Sequence, residues 1–374
     1  MNWIDAFRSR EVTVPLVDEI RRSVRKPVRL MEVCGTHTMS IFRHGIRSLL
    51  PPEIELLSGP GCPVCVTPSG QIDLLLQAAE TDNVIIATFG DLIRVPGSEQ
   101  TLAQARARGA RIEVVYSPLD ALALARQYKN QTVLFPAIGF ETTVPAIAAT
   151  LLQAKQQNVM NFVIVSAGKT MPRALVTLMA DPELHVDGLL CPGHVSAIIG
   201  SAAYEPLADR YNLACAVAGF EPVDILAGIL ALIRMIDRKK AGVENCYTRA
   251  VNTRGNIRAL HLMNEVFEPV DSEWRGLGTI AASGLQLRKP YQCFDAVERL
   301  GLSVRSSPEP RGCRCGEILK GKMLPPDCPL YGTGCTPLKP VGPCMVSSEG
   351  TCAAFYRFSE VKHGMQSYAS DAVS

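Results

Sequence analysis

The sequence predicts an α/β fold of two similar parallel-sheet α/β domains that face a common cleft, plus a cysteine-rich domain. Between residues 28 and 240, short apolar runs alternate with helical patterns, and most of these runs end in a polar or glycine-rich turn. This alternation is typical of a mostly parallel sheet covered by helices on both faces. After residue 241 the alternation stops, and six cysteines crowd between residues 313 and 352.

Eight apolar runs are predicted strands, and they lie at Val28–Val33, Ile54–Leu57, Val84–Phe89, Ile112–Tyr116, Val133–Ile138, Phe162–Val165, Gly188–Leu190 and Cys215–Ala218. Six segments between them have helical periodicity: Ile41–Leu50, Gln71–Glu80, Leu102–Arg108, Leu119–Tyr128, Val144–Gln157 and Asp224–Lys240. Eight strands are compatible with one barrel or with two four-stranded sheets. We favour two sheets because Gly-Phe-Glu recurs at 139–141 and 219–221.

This interpretation divides the chain into three domains. The first α/β domain spans residues 28–131 and contains Cys34, Cys62 and Cys65, and the second spans residues 132–240. Residues 1–27 together with 241–374 form the third domain, which carries the cysteine cluster. Its Pro-, Gly- and Cys-rich composition rarely buries enough apolar surface without a metal or a partner domain.

Composition narrows the function classes. The 374 residues carry a net charge of +2, which is too small to favour binding to nucleic acid or to an anionic membrane. The apolar stretch Ile225–Ile233 is too short to span a bilayer. The N-terminus lacks the charged-then-apolar order of a signal peptide, so we expect a cytoplasmic protein. Its 13 cysteines are then buried, catalytic or metal-bound rather than a disulfide framework.

Two glycine-rich loops carry the cysteines with the clearest chemistry. Cys34 and His37 belong to Cys-Gly-Thr-His-Thr (34–38), and Cys62 and Cys65 belong to Gly-Pro-Gly-Cys-Pro-Val-Cys (59–65). Each loop follows a predicted strand, where ligands of open α/β sheets bind. A helix N-terminus lowers a thiol pKa, so we expect a thiolate at Cys34, with His37 as a metal ligand or an acid–base group.

The Cys62-Pro-Val-Cys65 pair is a Cys-x-x-Cys motif, which either binds metal or exchanges between dithiol and disulfide. A helix is predicted to begin directly after it, at Ser69 or Gly70. A tight turn with two packed cysteines is the alternative.

Three further titratable residues follow predicted strands and are candidates for substrate contact or proton transfer. They are Glu141, His194 and Glu221. Each glutamate has an alternative structural role as the cap of a following helix.

The six cysteines of the tail are Cys313, Cys315, Cys328, Cys335, Cys344 and Cys352. Four thiolates bind either a tetrahedral zinc ion or a cubane iron–sulfur cluster. Structural zinc sites usually contain two tight Cys-x2–4-Cys hairpins. The spacing here is wide and irregular, which favours a cluster over zinc.

Taken together, the motifs closely resemble those of the HypD family of hydrogenase formation proteins. The segments that carry the resemblance span nearly the whole chain and occur in the family's order: 34–38, 59–65, 139–145, 192–196, 218–224, 272–278 and 347–350. The resemblance implies two similar α/β domains and a third domain that bears the cluster.

The resemblance also implies a function. Family members act in the cytoplasm as scaffolds rather than as conventional turnover enzymes, and they help to build the iron centre of [NiFe]-hydrogenases. HypC is the stable small partner, HypE–HypF is the transient cyanide donor, and the cargo is an Fe(CN)2CO group. By motif, Cys34 is the iron ligand with His37 near it, and Cys62 and Cys65 form a redox-active dithiol.

The family pattern selects four ligands for a [4Fe-4S] cluster, namely Cys315, Cys328, Cys335 and Cys352. Cys313 and Cys344 are then spare, although either can replace a neighbour. We expect the cluster to pass electrons towards Cys62 and Cys65. His194, Glu141 and Glu221 would orient the incoming group or move protons.

Two other function classes remain open from the sequence. One is an iron–sulfur disulfide reductase that acts on a protein or small thiol. The other is an interaction module whose tail folds around zinc while the upstream thiols are packed.

Overall fold

The computed structural model describes residues 7–303 and 309–358 of the chain. Within these ranges the chain forms two parallel sheets with helices, an antiparallel hairpin and a cysteine-rich C-terminal region. The predicted α/β class is therefore confirmed. The predicted third domain also includes residues 1–6, 304–308 and 359–374, which lie outside the described residues.

The strands, numbered in chain order, are β1 (Val28–Glu32), β2 (Ile54–Ser58), β3 (Val84–Thr88), β4 (Arg111–Val114), β5 (Thr132–Gly139), β6 (Phe162–Gly168), β7 (Gly188–Pro192), β8 (Ala214–Ala218), β9 (Gly242–Asn245), β10 (Phe267–Trp274) and β11 (Gly278–Leu287). The α-helices are α1 (Arg10–Ser23), α2 (Gly35–Arg43), α3 (Ile46–Leu49), α4 (Ser69–Ala79), α5 (Leu102–Ala107), α6 (Pro118–Gln127), α7 (Val144–Gln156), α8 (Met171–Met179), α9 (Gly193–Ile199), α10 (Glu205–Tyr211), α11 (Pro222–Asp237), α12 (Ile257–Val266), α13 (Ala296–Leu300), α14 (Cys315–Leu319) and α15 (Pro343–Val346). Residues 351–358 are also helical.

The first sheet has the strand order β2-β1-β7-β8-β9, and all its neighbouring strands are parallel. Helices α1 and α11 cover one face, where Val17 and Ile20 pack with Ile225 and Ile229. Because the strands are parallel, their carboxyl ends lie at one edge of the sheet. That edge presents the turns that begin at Cys34, Gly59, Gly193 and Gly219.

The second sheet has the order β4-β3-β5-β6, again parallel. Apolar side chains of α6 and α7 cover one face, and those of α4 and α5 cover the other. The β10–β11 hairpin packs against β6, where the Ser166 hydroxyl donates to the Leu285 carbonyl at 2.6 Å. A bridge between Lys169 and Gly284 continues this contact at the carboxyl end of β6.

The pairing of strands divides the chain differently from the boundary expected at residue 131. The chain leaves the first sheet after β2, forms the whole second sheet from β3 to β6, and returns to the first sheet at β7. The strands have similar lengths and end in similar turns, and neither feature specifies which strands pair. The sequence pattern therefore did not predict that β3 to β6 form a separate sheet between β2 and β7. The N-terminal helix α1 also packs on α11 of the first sheet, although the sequence analysis grouped it with the tail.

All eight predicted strands are present, with ends that shift by at most a few residues. The predicted helix Ile41–Leu50 is divided, because Gly45 adopts a left-handed φ of 62° between α2 and α3. The hairpin, β9 and α12 form where the sequence showed no alternation, after residue 241. Across the described parts of the chain, no helix has the length and apolar character needed to cross a membrane.

We expect replacement of Phe135 by alanine to destabilise the second sheet. Phe135 is 0% exposed and packs edge-to-face on Phe89, with ring centroids 5.4 Å apart. Removal of a buried Phe side chain costs about 3–5 kcal/mol, because it leaves a cavity. Urea unfolding followed by circular dichroism measures the change. Leu338→Ala, at a side chain that is 99% exposed, is the control and should change stability by less than about 0.5 kcal/mol.

Candidate functional site

The two glycine-rich loops are in direct backbone contact. Cys34 ends the first strand and is the N-cap of α2, in an extended conformation. The Gly35 N–H donates to the Gly61 carbonyl at 3.0 Å. A Cβ atom on Gly61 would lie 2.4 Å from the Cys34 Cα, so only glycine permits this approach. The Cys34 loop and the Cys-x-x-Cys loop therefore form one unit.

Burial controls the ionisation of Cys34. Loss of solvation raises the pKa of this thiol to about 12, and the nearby Glu349 and Glu32 carboxylates act in the same direction. The backbone N–H groups of His37 and Thr36 oppose the shift but do not reverse it. The expectation of a free thiolate is therefore wrong for the metal-free chain. A bound metal ion changes this balance, because a coordinating thiol is deprotonated outright.

Glu32 is part of this site although the sequence analysis did not select it. Its side chain lies beneath the loop, where Oε2 accepts from the Cys34 N–H at 3.2 Å and Oε1 accepts from the Thr38 hydroxyl at 2.6 Å. Burial raises the pKa of Glu32 to about 7. An acidic residue at a buried position of a strand, two residues before the cysteine, was the available signal.

The motif Ser-Ser-Glu-Gly (347–350) connects the tail with both sheets. The hydroxyl of Thr36, two residues after Cys34, donates to Glu349 Oε1 at 2.7 Å. The neighbouring Ser348 N–H donates to Asp91 Oδ2 at 3.4 Å, just beyond the end of β3. Loops at the carboxyl ends of both sheets thus contact the same tail segment.

His37 is a neutral, buried ring. Its Nε2–H donates to the carbonyls of Gly219 at 2.9 Å and Ala218 at 3.2 Å, which leaves Nδ1 as the acceptor nitrogen. Among the described residues, Nδ1 has no hydrogen-bond partner. Burial lowers the pKa of His37 to about 4. Phe220 lies between His37 and His194, with ring centroids 5.0 and 3.9 Å away, so the structure brings these two histidines together.

The two predicted glutamates have different surroundings. Glu141 is buried, and its Oε1 accepts from the Met171 N–H at 3.0 Å, at the start of α8. Its Oε2 has no partner among the described residues, and burial raises the pKa of Glu141 to about 7. Glu221 instead pairs with Arg8, which lowers its pKa, and it begins α11 as a capping residue. The capping alternative therefore describes the geometry of Glu221.

The Cys-x-x-Cys pair forms a compact buried turn. Cys62 is 3% exposed and Cys65 is 0% exposed. The Cys65 N–H donates to the Cys62 Sγ at 3.2 Å, and the Val66 N–H donates to the Cys62 carbonyl at 3.2 Å. Helix α4 then begins at Ser69, as predicted. Burial raises the pKa of Cys65 well above the ordinary thiol value.

Cys344 lies between this turn and the tail cysteines, although the sequence analysis treated it as spare. Its fully buried thiol interacts with the thiols of Cys315, Cys352 and Cys65. The Cys315 interaction is the largest of several that raise the pKa of Cys344. A continuous set of neighbouring thiols thus extends from Cys65 to the tail.

Five of the tail cysteines line one small cavity: Cys313, Cys315, Cys328, Cys335 and Cys352. Gly342 closes one side, where a Cβ atom would lie 2.7 Å from the Cys313 Sγ and 2.9 Å from the Cys315 Sγ. The Val341 N–H donates to the Cys335 Sγ at 3.3 Å, a type of bond that tunes iron–sulfur clusters. In residues 7–303 and 309–358, no three His, Cys, Asp or Glu side chains form a ready site for a single metal ion. The donor set is compatible with an iron–sulfur cluster.

Comparison with known proteins decides the family. A family model with the description "HypD: Hydrogenase formation hypA family" matches residues 11–359. The chain belongs to the HypD family. "Hydrogenase maturation factor HypD" of Rhodobacter capsulatus is 45% identical over 92% of this chain and 92% of its own length. The protein of that name from Escherichia coli (strain K12) is 43% identical over 96% of this chain and 99% of its own length.

A third relative is similar over nearly its whole length. "Putative hydrogenase expression/formation protein MJ0993" of Methanocaldococcus jannaschii is 41% identical over 95% of this chain and 99% of its own length. The HypD model covers the described site from the Cys34 loop to Cys352. The resemblance drawn from the motifs is therefore confirmed, and the chain is a member of a family of hydrogenase maturation factors.

We expect Glu141→Gln to stabilise the chain at pH 8 but not at pH 5. Between the ordinary pKa of 4.5 and the folded pKa of about 7, the folded chain keeps a proton that the unfolded chain has released. The stabilising effect of this retained proton is fully present below pH 4.5 and is lost as the pH rises through 7. Glutamine removes this loss and still accepts from the Met171 N–H.

Thermal unfolding midpoints at the two pH values measure this effect. Glu221→Gln is the matched control and should show the opposite sign, because Arg8 lowers the pKa of Glu221. Equal shifts for Glu141→Gln at both pH values would contradict the assignment.

Proposed function

We propose that this HypD-family chain is the scaffold, with HypC, on which the Fe(CN)2CO group of a [NiFe]-hydrogenase is assembled. The observation that carries the proposal is the contact series from the Cys34 loop to the tail. The Cys34 loop bonds to the Cys-x-x-Cys loop, and Cys65 interacts with Cys344, which interacts with Cys315. The residues proposed as the metal anchor, the dithiol and the cluster ligands are therefore adjacent and buried.

Cys34 would hold the cargo iron. Its sulfur is a soft donor, and the iron would displace the thiol proton that burial otherwise retains. Cyanide and carbon monoxide are strong-field ligands that favour low-spin Fe(II), which suits an enclosed site with little water. Glu32 restrains the backbone of the loop by accepting a hydrogen bond from the Cys34 N–H.

The tail would bind the resident cofactor through Cys315, Cys328, Cys335 and Cys352. A [4Fe-4S] cluster at this position supplies or accepts single electrons. Cys62 and Cys65 would act as a dithiol, releasing two electrons and two protons when they form a disulfide. The Cys65 N–H that points at the Cys62 Sγ stabilises negative charge on that sulfur, which favours its reaction.

The two histidines would orient the incoming ligand that HypE–HypF delivers as cyanide. His37 keeps one ring nitrogen free as an acceptor, and Phe220 holds His194 beside it. Glu141 is a candidate for holding a proton, since its pKa of about 7 lies near physiological pH. Glu221 would contribute less, because Arg8 neutralises it.

The burial of the dithiol favours this scaffold over the disulfide reductase. A disulfide reductase needs an accessible thiol to attack the disulfide of its protein substrate, whereas Cys62 and Cys65 are 3% and 0% exposed.

Metal analysis of the anaerobically purified chain distinguishes the iron–sulfur scaffold from a zinc-stabilised interaction module. About four iron and four sulfide per chain would establish the cluster. Stoichiometric zinc without sulfide would support the zinc-stabilised module instead.

We expect Cys34→Ala to abolish loading with cyanide and carbon monoxide while the cluster remains. The reason is that the variant lacks the sulfur that holds the iron, whereas the tail cysteines are unchanged. Infrared stretching bands of bound cyanide and carbon monoxide, recorded on the complex with HypC, measure the loading. Cys246→Ala, at a half-buried cysteine outside the contact series, is the control. Full band intensity in Cys34→Ala would show that the iron is held elsewhere.

Alanine variants of the two adjacent tail cysteines distinguish ligand from spare thiol. If Cys315 is a cluster ligand, Cys315→Ala lowers iron and sulfide content strongly, and Cys313→Ala leaves both near the wild-type level. The reverse result would assign Cys313 to the cluster and leave Cys315 paired with Cys344. Cys344→Ser should retain iron and sulfide, because its thiol lies outside the cavity lining.

A further inference from the structure

The motif Ser-Glu-Trp-Arg-Gly-Leu-Gly (272–278) has no role in the function proposed above, yet its residues occupy a central position. It forms the tip of the β10–β11 hairpin, where the Leu277 N–H donates to the Trp274 carbonyl at 3.0 Å. Arg275, in this tip, is 2% exposed overall, and its side chain is completely buried. A buried guanidinium is costly unless it is fully bonded, so its partners indicate why it is there.

The partners of Arg275 are the residues that follow Cys65. Its backbone N–H donates to the Val66 carbonyl at 2.9 Å, and its Nε donates to the Thr67 carbonyl at 3.0 Å. The guanidinium also donates to the Ser69 hydroxyl at 3.1 Å and pairs with Glu309. One residue thus satisfies two consecutive carbonyls at the end of the Cys-x-x-Cys turn and reaches the first turn of α4.

The next residue of the tip contacts the tail. Gly276 has a φ of +79°, and a Cβ atom on it would lie 2.4 Å from the Gly316 Cα. Gly316 directly follows Cys315, and a Cβ atom there would lie 2.9 Å from the Gly276 Cα. The tip therefore touches the Cys-x-x-Cys turn through Arg275 and the Cys315 segment through Gly276.

The base of the tip is fixed to the second sheet. Lys169 is 1% exposed, and its Nζ donates to the Ser272 hydroxyl at 2.8 Å and to the Glu273 carbonyl at 2.6 Å. Trp274 stacks on Phe140, with centroids 5.8 Å apart, and donates from its indole nitrogen to the Ser283 hydroxyl. The hairpin tip is thus a rigid element between two cysteine segments that belong to different parts of the chain.

We propose that Arg275 is a positioning residue that sets the spacing between the Cys65 thiol and the Cys344 thiol. This proposal rests on the proposed function for its purpose, but it concerns geometry that exists without iron, HypC or cyanide. Arg275 bonds to the end of the Cys-x-x-Cys turn, and Gly276 contacts the segment after Cys315. The Cys344 thiol interacts with the thiols of both Cys65 and Cys315. Loss of the guanidinium would release the turn and move Cys65 away from Cys344.

A cross-linking competition on the anaerobically purified full chain tests this role. Diamide takes up two electrons and two protons from two thiols, which form one disulfide. Cys65 then forms a disulfide with Cys62 or with Cys344, and mass spectrometry of peptides measures the ratio of the Cys65–Cys344 to the Cys62–Cys65 product. The ratio reports relative position, whereas a general change in reactivity alters both products together.

We expect Arg275→Gln to lower this ratio by about tenfold, since misplacement of a reacting group by about 1 Å can cost that much or more. Arg275→Lys should restore part of it, because a lysine keeps the positive charge and an N–H donor group, although it lacks the planar fork of the guanidinium. Arg288→Gln is the control, because Arg288 directly follows β11 and donates to the Asn264 and Phe267 carbonyls at the end of the hairpin opposite the tip. Its ratio should equal that of the wild type.

Iron content and thermal midpoint identify variants that retain the fold, and only these are compared. If Arg275→Gln does not fold, Ser69→Ala removes a single bond of the guanidinium and should lower the ratio by a smaller factor. An unchanged ratio in the folded Arg275 variants, or in Ser69→Ala where those fail, would overturn the proposal. An equal fall in Arg288→Gln would do the same. A normal cross-linking pattern with no cyanide loading in the wild type would reject the scaffold function but leave the positioning role intact.

Discussion

The site depends on one close approach, that of the Gly61 backbone to the Cys34 backbone. Two strands that are neighbours in the first sheet end in loops that would clash if residue 61 carried a side chain. The contact brings the Cys-x-x-Cys turn, which follows Gly61 directly, beside the N-terminus of α2. The Cys34 loop also presents Thr36 to Glu349, and the adjacent turn places Cys65 beside Cys344.

Burial is the second constraint, and it shifts the titratable groups of the site towards their neutral forms. It raises the pKa of Cys34 to about 12 and of Glu32 to about 7, and it lowers the pKa of His37 to about 4. Desolvation outweighs the N–H groups at the start of α2, which by themselves favour a thiolate. In such a site the Cys34 thiol stays protonated and neutral until it binds a cation. The site would therefore select a metal ion, which deprotonates the thiol, over a thiol–disulfide partner that needs a thiolate in advance.

The sequence was informative where chemistry is local. Each of the eight apolar runs predicted as a strand forms one, and the cysteine motifs mark both loops and the tail cavity. Strands and motifs can be predicted in this way because they depend on residues close together in the chain. It was uninformative where partners are distant. The pairing of β5 with β3, the contact between Cys344 and Cys65, and the bonds from Arg275 to the Cys-x-x-Cys turn all join segments far apart in sequence. Glu221 shows that a shared motif does not predict a shared environment. It follows the same Gly-Phe pair as Glu141, but it forms an ion pair with Arg8, which is distant in sequence.

Two of the contacts that attach the tail to the rest of the molecule lie at the site itself. The Ser347–Gly350 loop bonds to Thr36 and to Asp91, and thereby to the ends of both sheets. The hairpin tip contacts Gly316 and holds the Cys-x-x-Cys turn, while Lys169 fixes it to the second sheet. The segment between these two contacts contains three of the six tail cysteines, namely Cys328, Cys335 and Cys344, and Cys315 directly precedes it. These contacts restrain both ends of a segment whose regular structure consists only of short helices. Cys328 and Cys335 in this segment line the same small cavity as Cys315, so a cofactor bound there would keep a constant position relative to Cys65.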